Sequence, residues 1–362
     1  MRQLVTEVLV IGAGPAGLSA ARSAAGQGAD VVLADSNRLS GGQLLKQTHK
    51  FFGSTRHGAG MRGMDLARKL TTESEREGVR LLLGVSAVGR FAEGVVLKDG
   101  QDRLVLAKAQ RYVIAVGASE RGIAFPGWTL PGVMTAGAAQ TFVNLHRVSI
   151  GDHVLVVGSG NVGLLLAYHL RQAGSDVVGI AEARREITGW AVHASKIRRL
   201  GIPVFTGVAI EGARGQDRVS EVTFRSSHRR WGGTCRLNVP ADAVCLAVGL
   251  SPRTQLLQQI GCELAFSAVL GGTVPVHDRC MQTTLPGWYV AGDAAGVEEA
   301  TVAMEEGQLA GLSAAHGLGY GSSRSYERKK AEILVSLDEL RAGPLGGDRK
   351  AAKEELCLSR SR

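Results

Sequence analysis

The chain has 362 residues with a formal net charge of +9, 44% of them hydrophobic and 21% charged; this suits two globular domains with a sizeable core, followed by a tail. Aromatic residues make up only 5%, which leaves little material for base stacking. The Lys and Arg residues are spread except around 324–330 and the C-terminus, so the positive charge reads as a basic surface with no nucleic-acid site. No run reaches the ~18 apolar residues of a membrane span.

In chain order, the first feature is the string VLVIGAGPAG at 8–17, an apolar strand that runs into a glycine turn and opens a helix over 15–27. The glycines explain this small, apolar start better than a targeting signal does. A second apolar run, 31–34, follows and ends at Asp35. Gly12, Gly14 and Gly17 form G-x-G-x-x-G. Gly12 permits the tight turn, Gly14 lets the backbone touch a pyrophosphate, and Gly17 lets the helix pack close to the strand. Pro15 and Ala16 open the helix, whose N-terminus offers unpaired N–H groups to an anion. Asp35, 23 residues beyond Gly12, is placed to accept hydrogen bonds from a ribose diol. Gly41, Gly42 and Gln43 come next; the glycines allow a close crossing over a ligand, and Gln43 can bond its polar edge.

The segment 81–116 reads as a strand, a meander and a return strand. It leaves the first domain at VIAVG, 113–117, and the counterpart on the way back is DAVCLAVG, 242–249. Between them the opening motif recurs as VLVVGSGNVG at 154–163, followed by a helix over 161–173 and a strand over 177–181. Gly158, Gly160 and Gly163 repeat the glycine logic, with Asn161 and Val162 opening the helix. Glu182 lies 24 residues beyond Gly158. A carboxylate there favours a 2′-hydroxyl over a 2′-phosphate, so NAD(H) is expected ahead of NADP(H), although Arg184 and Arg185 could soften the preference. A vestigial site, or one for another adenine nucleotide, is the competing reading. The segment 204–248 has the texture of the first meander.

A third block, PGWYVAGD at 286–293, is a strand ending in Gly292-Asp293, followed by a helix over 299–316 that has Ala300 in its first turn. That helix start can stabilise negative charge on a ligand; a turn aspartate capping a helix is the alternative. Beyond 320 the chain is polar and charged, with an amphipathic stretch at 331–340. That stretch reads as a terminal helix, solvated or docked to a partner protein, and the last ten or so residues read as disordered. The expected fold is α/β, with two Rossmann-like, three-layer ββα dinucleotide-binding domains, the second inserted in the first. The outer domain spans 1–122 and 246–320, the inner domain 123–245, and a helical, basic tail 321–362.

With these motifs in order, the chain resembles the class II pyridine nucleotide–disulfide oxidoreductases, of which thioredoxin reductase is the compact member. The stretches PGVMTAGAAQ (131–140), VHASK (192–196) and GDAAGV (292–297) look like the flavin subunits of hydrogen cyanide synthase and opine oxidase, and the related part of the alpha chain of sarcosine oxidase. The resemblance implies FAD on the first glycine motif, with Gly117 and Gly292 beside it and Asp293 on the ribityl chain. It implies a nicotinamide nucleotide on the second motif and cooperation with other redox subunits, in a homodimer or a hetero-oligomer. A hinge near 117–123 and 245–249 is the expected route by which nicotinamide reaches flavin.

Cysteine marks the departure. The five cysteines, Cys235, Cys245, Cys262, Cys280 and Cys357, are scattered; they exclude a disulfide framework, a zinc site and an iron–sulfur cluster, and suit a reducing cytoplasm. The two places where relatives carry a redox pair, 132–145 and 41–48, hold none, so dithiol–disulfide exchange is not expected.

The remaining candidates are weaker. His49, His57 and His193 are the candidate general acid–base groups, with Glu298 a further catalytic candidate that is read alternatively as a dipole partner of the helix start; His49 is read alternatively as a structural loop histidine, and His193 and Lys196 as structural or subunit contacts. The expected activity is hydride transfer between NAD(P)H and FAD, with electrons passed to an external acceptor or a partner such as an iron–sulfur or dehydrogenase subunit. The alternatives are a subunit of an amine or amino-acid dehydrogenase complex, and a nucleotide-binding regulator that never turns over.

Overall fold

The apolar run before the first glycine motif forms a ten-residue strand, Arg2–Ile11, in a computed structural model that describes residues 2–226 and 235–360. Its last four residues are buried, as expected for a strand covered on both faces. The chain divides into two compact units, Met1–Ser119 with Ser251–Arg362, and Glu120–Leu250.

In the outer unit, Arg2–Ile11 is the centre of a parallel sheet. Val31–Asp35 and then Arg80–Leu83 lie on one side, and Leu104–Ile114 lies on the other. On its other edge the long strand Leu104–Ile114 serves two further neighbours. Its first half pairs antiparallel with Gly94–Asp99, which pairs with Val85–Phe91, and its second half pairs parallel with Trp288–Val290. The helix Pro15–Ala25 connects the first two strands and packs on the helix Ala300–His316. Their approach is unusually close because Gly307 and Gly311, one turn apart, face the carbonyls of Ala16 and Ala20. A Cβ on either glycine would overlap that oxygen.

Residues beyond 320 fold onto the same unit. The helix Ser323–Leu340 buries Tyr326, Ile333 and Leu337 in the outer core, and Leu356 of the helix Pro344–Arg360 packs on Leu270 and Val274. Each such apolar side chain contributes roughly 1.5–3 kcal/mol on burial. The expectation of a disordered end is therefore corrected. The helix runs through residues 353–360 because its Lys353 and Leu356 are buried, while Ser361 and Arg362 lie outside the described residues.

The inner unit repeats the plan. Its parallel sheet runs Val204–Thr206, Asp176–Glu182, His153–Val157, Ala243–Leu246 and Val133–Thr135. The helix Asn161–Gln172 joins the central strand to Asp176–Glu182 and buries Leu164, Leu166 and Leu170. A separate antiparallel sheet, Val208–Arg214, Glu221–Ser226 and Cys235–Pro240, covers part of a second core around Phe224.

Candidate cofactor-binding sites

Each glycine loop is folded by the same set of bonds. In the outer unit, Gly12 N donates to Ala34 O at 2.8 Å, and Ala115 N donates to Ile11 O at 2.8 Å. In the inner unit, Gly158 N donates to Ala181 O at 2.7 Å, and Ala247 N donates to Val157 O at 2.7 Å. Gly12 and Gly158 have φ of 107° and 106°, the left-handed region where glycine is favoured. A Cβ on Gly17 would overlap Gly12 O, and one on Gly163 would overlap Gly158 O. The middle glycine is different: at Gly14 nothing lies within 4 Å of a Cβ position, and at Gly160 the nearest atom, Thr188 Oγ1, is 3.9 Å away. Each loop is therefore closed toward its strand and open on one face at the start of a helix. That is the cradle a pyrophosphate needs.

The residue after the first glycine ties the rest together. Ala13 N donates to Asp35 Oδ2 at 2.6 Å, and Ala13 O accepts from Gly41 N at 2.6 Å. Ser159 N donates to Glu182 Oε2 at 2.9 Å, and Ser159 O accepts from Gly189 N at 2.9 Å. The acid at the end of the second strand and a crossing glycine are thus fixed to each loop. Gly42 has φ of 53° and crosses the first loop so closely that its Cβ position lies 2.9 Å from Gly14 Cα. Gln43 is exposed in the short helix Gly42–Lys46 that follows.

Asp35 also accepts from Asn37 N at 2.7 Å and Asn37 Nδ2 at 2.8 Å. Glu182 is more fully engaged, accepting from Ser159 Oγ at 2.6 Å and Arg184 N at 2.9 Å. Burial raises the Glu182 pKa, but the bonds from Ser159 and Arg184 more than offset it and hold the carboxyl below its ordinary value. Asn161 Oδ1 accepts from Trp190 N at 2.8 Å, so the segment 188–190 is fastened across the inner loop. The sequence reading does not single out Ser159, Thr188 or Gly189. A cue is present, since Gly189 follows Glu182 by seven residues as Gly41 follows Asp35 by six.

The third block meets the first loop. Gly292, with φ of 67°, abuts the opening of the Pro15–Ala25 helix, its Cβ position 2.7 Å from Ala16 Cβ. Gly292 N donates to Glu306 Oε2 at 3.0 Å, and Asp293 Oδ1 accepts from Glu298 N at 3.3 Å. Burial pushes the Asp293 carboxyl up to about 7. The bond from Glu298 N opposes this, and the Glu306 charge adds to it. Ala300 opens the following helix with no acid in its first turn. Gly117, with φ of 72°, also has nothing within 4 Å of its Cβ position. Gly12, Gly14, Pro15, Ala16, Gly17, Asp35, Gly42 and Gly292 therefore gather around one open helix start, with Asp293 next in the chain and Ala300 opening the helix whose Ala303 Cβ lies 3.4 Å from the Gly292 Cβ position. Gly158, Gly160, Asn161, Val162, Gly163 and Glu182 gather around the other. Both sets fit a dinucleotide.

The weaker candidates are placed as follows. Glu298 is 3% exposed and held by Arg341, an engaged carboxylate and not an available base. His49 is buried against Phe51, with ring centroids 5.5 Å apart. His57 Nε2 lies 2.7 Å from Glu305 Oε1. Burial, with Lys196 adding to it, lowers the His193 pKa to about 4. Lys196 stands over the Tyr168 ring at 5.4 Å. None of the five cysteines is in a disulfide, and burial pushes the Cys245 thiol up to about 12, which opposes thiolate chemistry there. Among the described residues no cluster of His, Cys, Asp and Glu could hold a metal, and no helix is long and apolar enough to cross a membrane.

Residues 6–307 match the pyridine nucleotide-disulphide oxidoreductase family. The chain is 32% identical to an opine oxidase subunit of Agrobacterium tumefaciens over 85% of its own length and 65% of that protein. It is 30% identical to hydrogen cyanide synthase subunit HcnB of Pseudomonas aeruginosa, covering 92% of this chain and 77% of that one. It thus spans slightly less than two thirds of the opine oxidase protein. Among solved structures it is similar to T. acidophilum thioredoxin reductase, with a TM-score of 0.71, 22% identity, and coverage of 86% of this chain and 98% of that chain. It is also similar to L-proline dehydrogenase from P. horikoshii, with a TM-score of 0.70, 23% identity, and coverage of 91% and 59%. The chain belongs to the pyridine nucleotide-disulphide oxidoreductase family, FAD-dependent oxidoreductases that also bind NAD(P)H, and it has their two-unit α/β fold.

Proposed function

We propose that this chain takes FAD on the outer glycine loop and NAD(H) on the inner one, exchanges a hydride between them, and passes electrons to a partner protein or another external acceptor. The observation that carries the reading is the duplicated cradle. Two glycine loops, each open at its middle glycine, are each tied through the next residue to a carboxylate at the end of the second strand. The cofactors supply the hydride chemistry when bound, and the protein supplies binding, orientation and field. Gly14 and Gly160 bring backbone N–H groups to the pyrophosphates. Asp35 and Glu182 take the ribose hydroxyls, and Glu182 disfavours a 2′-phosphate. Asp293 bonds the ribityl chain, and the start of Ala300–His316 favours negative charge at the ring edge.

An anaerobic titration of the yellow protein, followed at the visible flavin band, tests this. Bleaching by NADH at lower concentration than by NADPH is the expected result; no bleaching by either overturns it.

A second reading is favoured by the relatives, which are named subunits of opine oxidase and hydrogen cyanide synthase. Here an amine or amino-acid derivative is oxidised on a partner chain, and this chain carries or relays the electrons. Copurification with a second flavoprotein or an iron–sulfur protein supports it, and a stable homodimer reduced by NADH counts against it.

A further inference from the structure

The family match ends at residue 307, inside the helix Ala300–His316, and the two C-terminal helices lie beyond it. The second helix and the turn before it bring Arg341, Arg349 and Lys353 to Glu298, Glu299 and Glu306. Arg341 donates twice to Glu298, from Nε to Oε2 at 3.0 Å and from Nη2 to Oε1 at 2.7 Å. The same guanidinium reaches Glu306 Oε1 at 2.6 Å. Lys353 Nζ lies 2.6 Å from Glu306 Oε1 and 3.6 Å from Glu298 Oε1. Arg349 pairs with Glu299 at 2.9 Å.

The inner pairs are out of water. The side chains of Glu298 and Glu306 are 3% and 1% exposed, and those of Arg341 and Lys353 are 10% and 6% exposed. They are also wired to the Gly292-Asp293 corner. Glu306 uses its other oxygen to accept from Gly292 N, and the backbone of Glu298 donates to Asp293. Without the tail, buried carboxylates would stand beside the start of a helix whose dipole favours an anion there, and their field would oppose it.

Fastening the helices does not require these charges. Ile333, Leu337 and Leu356 already dock them through apolar contact, and a buried ion pair is generally no more stabilising than well-packed apolar side chains in its place. What the cations add is counter-charge at one place.

We propose that the C-terminal helices tune the flavin. Arg341 and Lys353 act as positioning residues that neutralise Glu298 and Glu306, hold the Gly292-Asp293 corner, and so raise the stability of reduced over oxidised FAD. This rests on the reading that FAD binds the outer unit with its ring edge toward the start of Ala300–His316.

The test is the midpoint potential of bound FAD at one fixed pH, in wild type, Arg341→Gln, Glu298→Gln and the double variant. Arg341→Gln exposes carboxylate charge and lowers the potential. The reduced-to-oxidised ratio at a set potential falls about tenfold, ~30 mV for a two-electron couple. Glu298→Gln moves it the opposite way by a similar factor, the double variant returns toward wild type, and Arg341→Lys keeps the wild-type value. A purely structural role predicts lower melting temperatures with no ordered shift in potential, and that result overturns the inference. So do shifts of the same sign in both single variants. If Arg341→Gln does not hold its flavin, the sign of the Glu298→Gln shift and the Arg341→Lys value decide. Wild-type protein that binds no FAD would instead sink the functional reading beneath.

Discussion

The two glycine loops share a skeleton and differ in how far their acids are already engaged. In the outer loop, Asp35 bonds one loop N–H and Asn37, and it stays partly exposed. In the inner loop, Ser159 adds a hydroxyl to its N–H, Thr188 Oγ1 stands 3.4 Å away, and Glu182 is 7% exposed. A strand, a glycine turn, a helix and an acid therefore report the architecture of a nucleotide site. One side chain, Ala13 against Ser159, changes how much of the acid is left for a ligand.

The most severe way to break this comparison is to fill the third glycine of each loop. Gly17→Val and Gly163→Val each drive a branched side chain into a carbonyl that leaves no room for a Cβ, a change expected to cost more than ~3 kcal/mol locally. Gly17→Val is expected to yield colourless protein. Gly163→Val is expected to remain yellow after gel filtration and to lose bleaching by NADH. A colourless Gly163→Val protein would mean that the loops do not act independently.

Asp293 sharpens the comparison through pH, because its carboxyl is shifted up where that of Glu182 is held down. With its carboxyl lifted by burial from 3.8 to about 7, the folded protein binds a proton there that the unfolded chain releases. Below pH 4 both states are protonated. As pH rises toward 7 the unfolded chain ionises first, so stability falls through that window, by on the order of 2–4 kcal/mol if the full shift is realised. The Glu298 backbone N–H and Lys353 work against this shift, and the charges of Glu306 and Glu298 work with it. Asp293→Asn should flatten the melting temperature of FAD-free protein between pH 4 and 7. An unchanged slope would show that Asp293 ionises normally.

Much of this was legible in the sequence because it is local. A strand, a turn and a helix opening within ten residues leave a pattern, and the acid follows at a spacing set by the length of one helix. The clamp on Glu298 was not legible. It joins residues 43 and 55 positions apart, Arg341 and Lys353, through contacts that carry no periodicity. In a charged tail, buried cations look the same as solvated ones. Gly307 and Gly311 escape a sequence reading for a related reason: a small-residue stripe within a helix says that something packs closely, but not what. Only the fold shows that the partner is the helix of the first glycine loop.

Two smaller substitutions address the inner acid directly. Glu182→Ala removes the group expected to accept from the ribose, so NADH should bind roughly tenfold more weakly, or ~1.4 kcal/mol, with NADPH little changed. Fluorescence titration of each nucleotide reads this, and equal losses for both would remove Glu182 from the specificity argument. Ser159→Ala is the gentlest probe, because it gives the inner loop the Gly-Ala-Gly of the outer one. It deletes the 2.6 Å hydroxyl bond to Glu182 Oε2 while keeping the 2.9 Å bond from the residue 159 backbone. A hydrogen bond to a buried carboxylate contributes about 1–2 kcal/mol, so the inner unit should lose a little stability. The freed oxygen should then take a ribose hydroxyl more readily, tightening NADH severalfold. If NADH binds no tighter, the serine hydroxyl and the ribose do not compete, and the two loops differ in sequence without differing in what they offer a ligand.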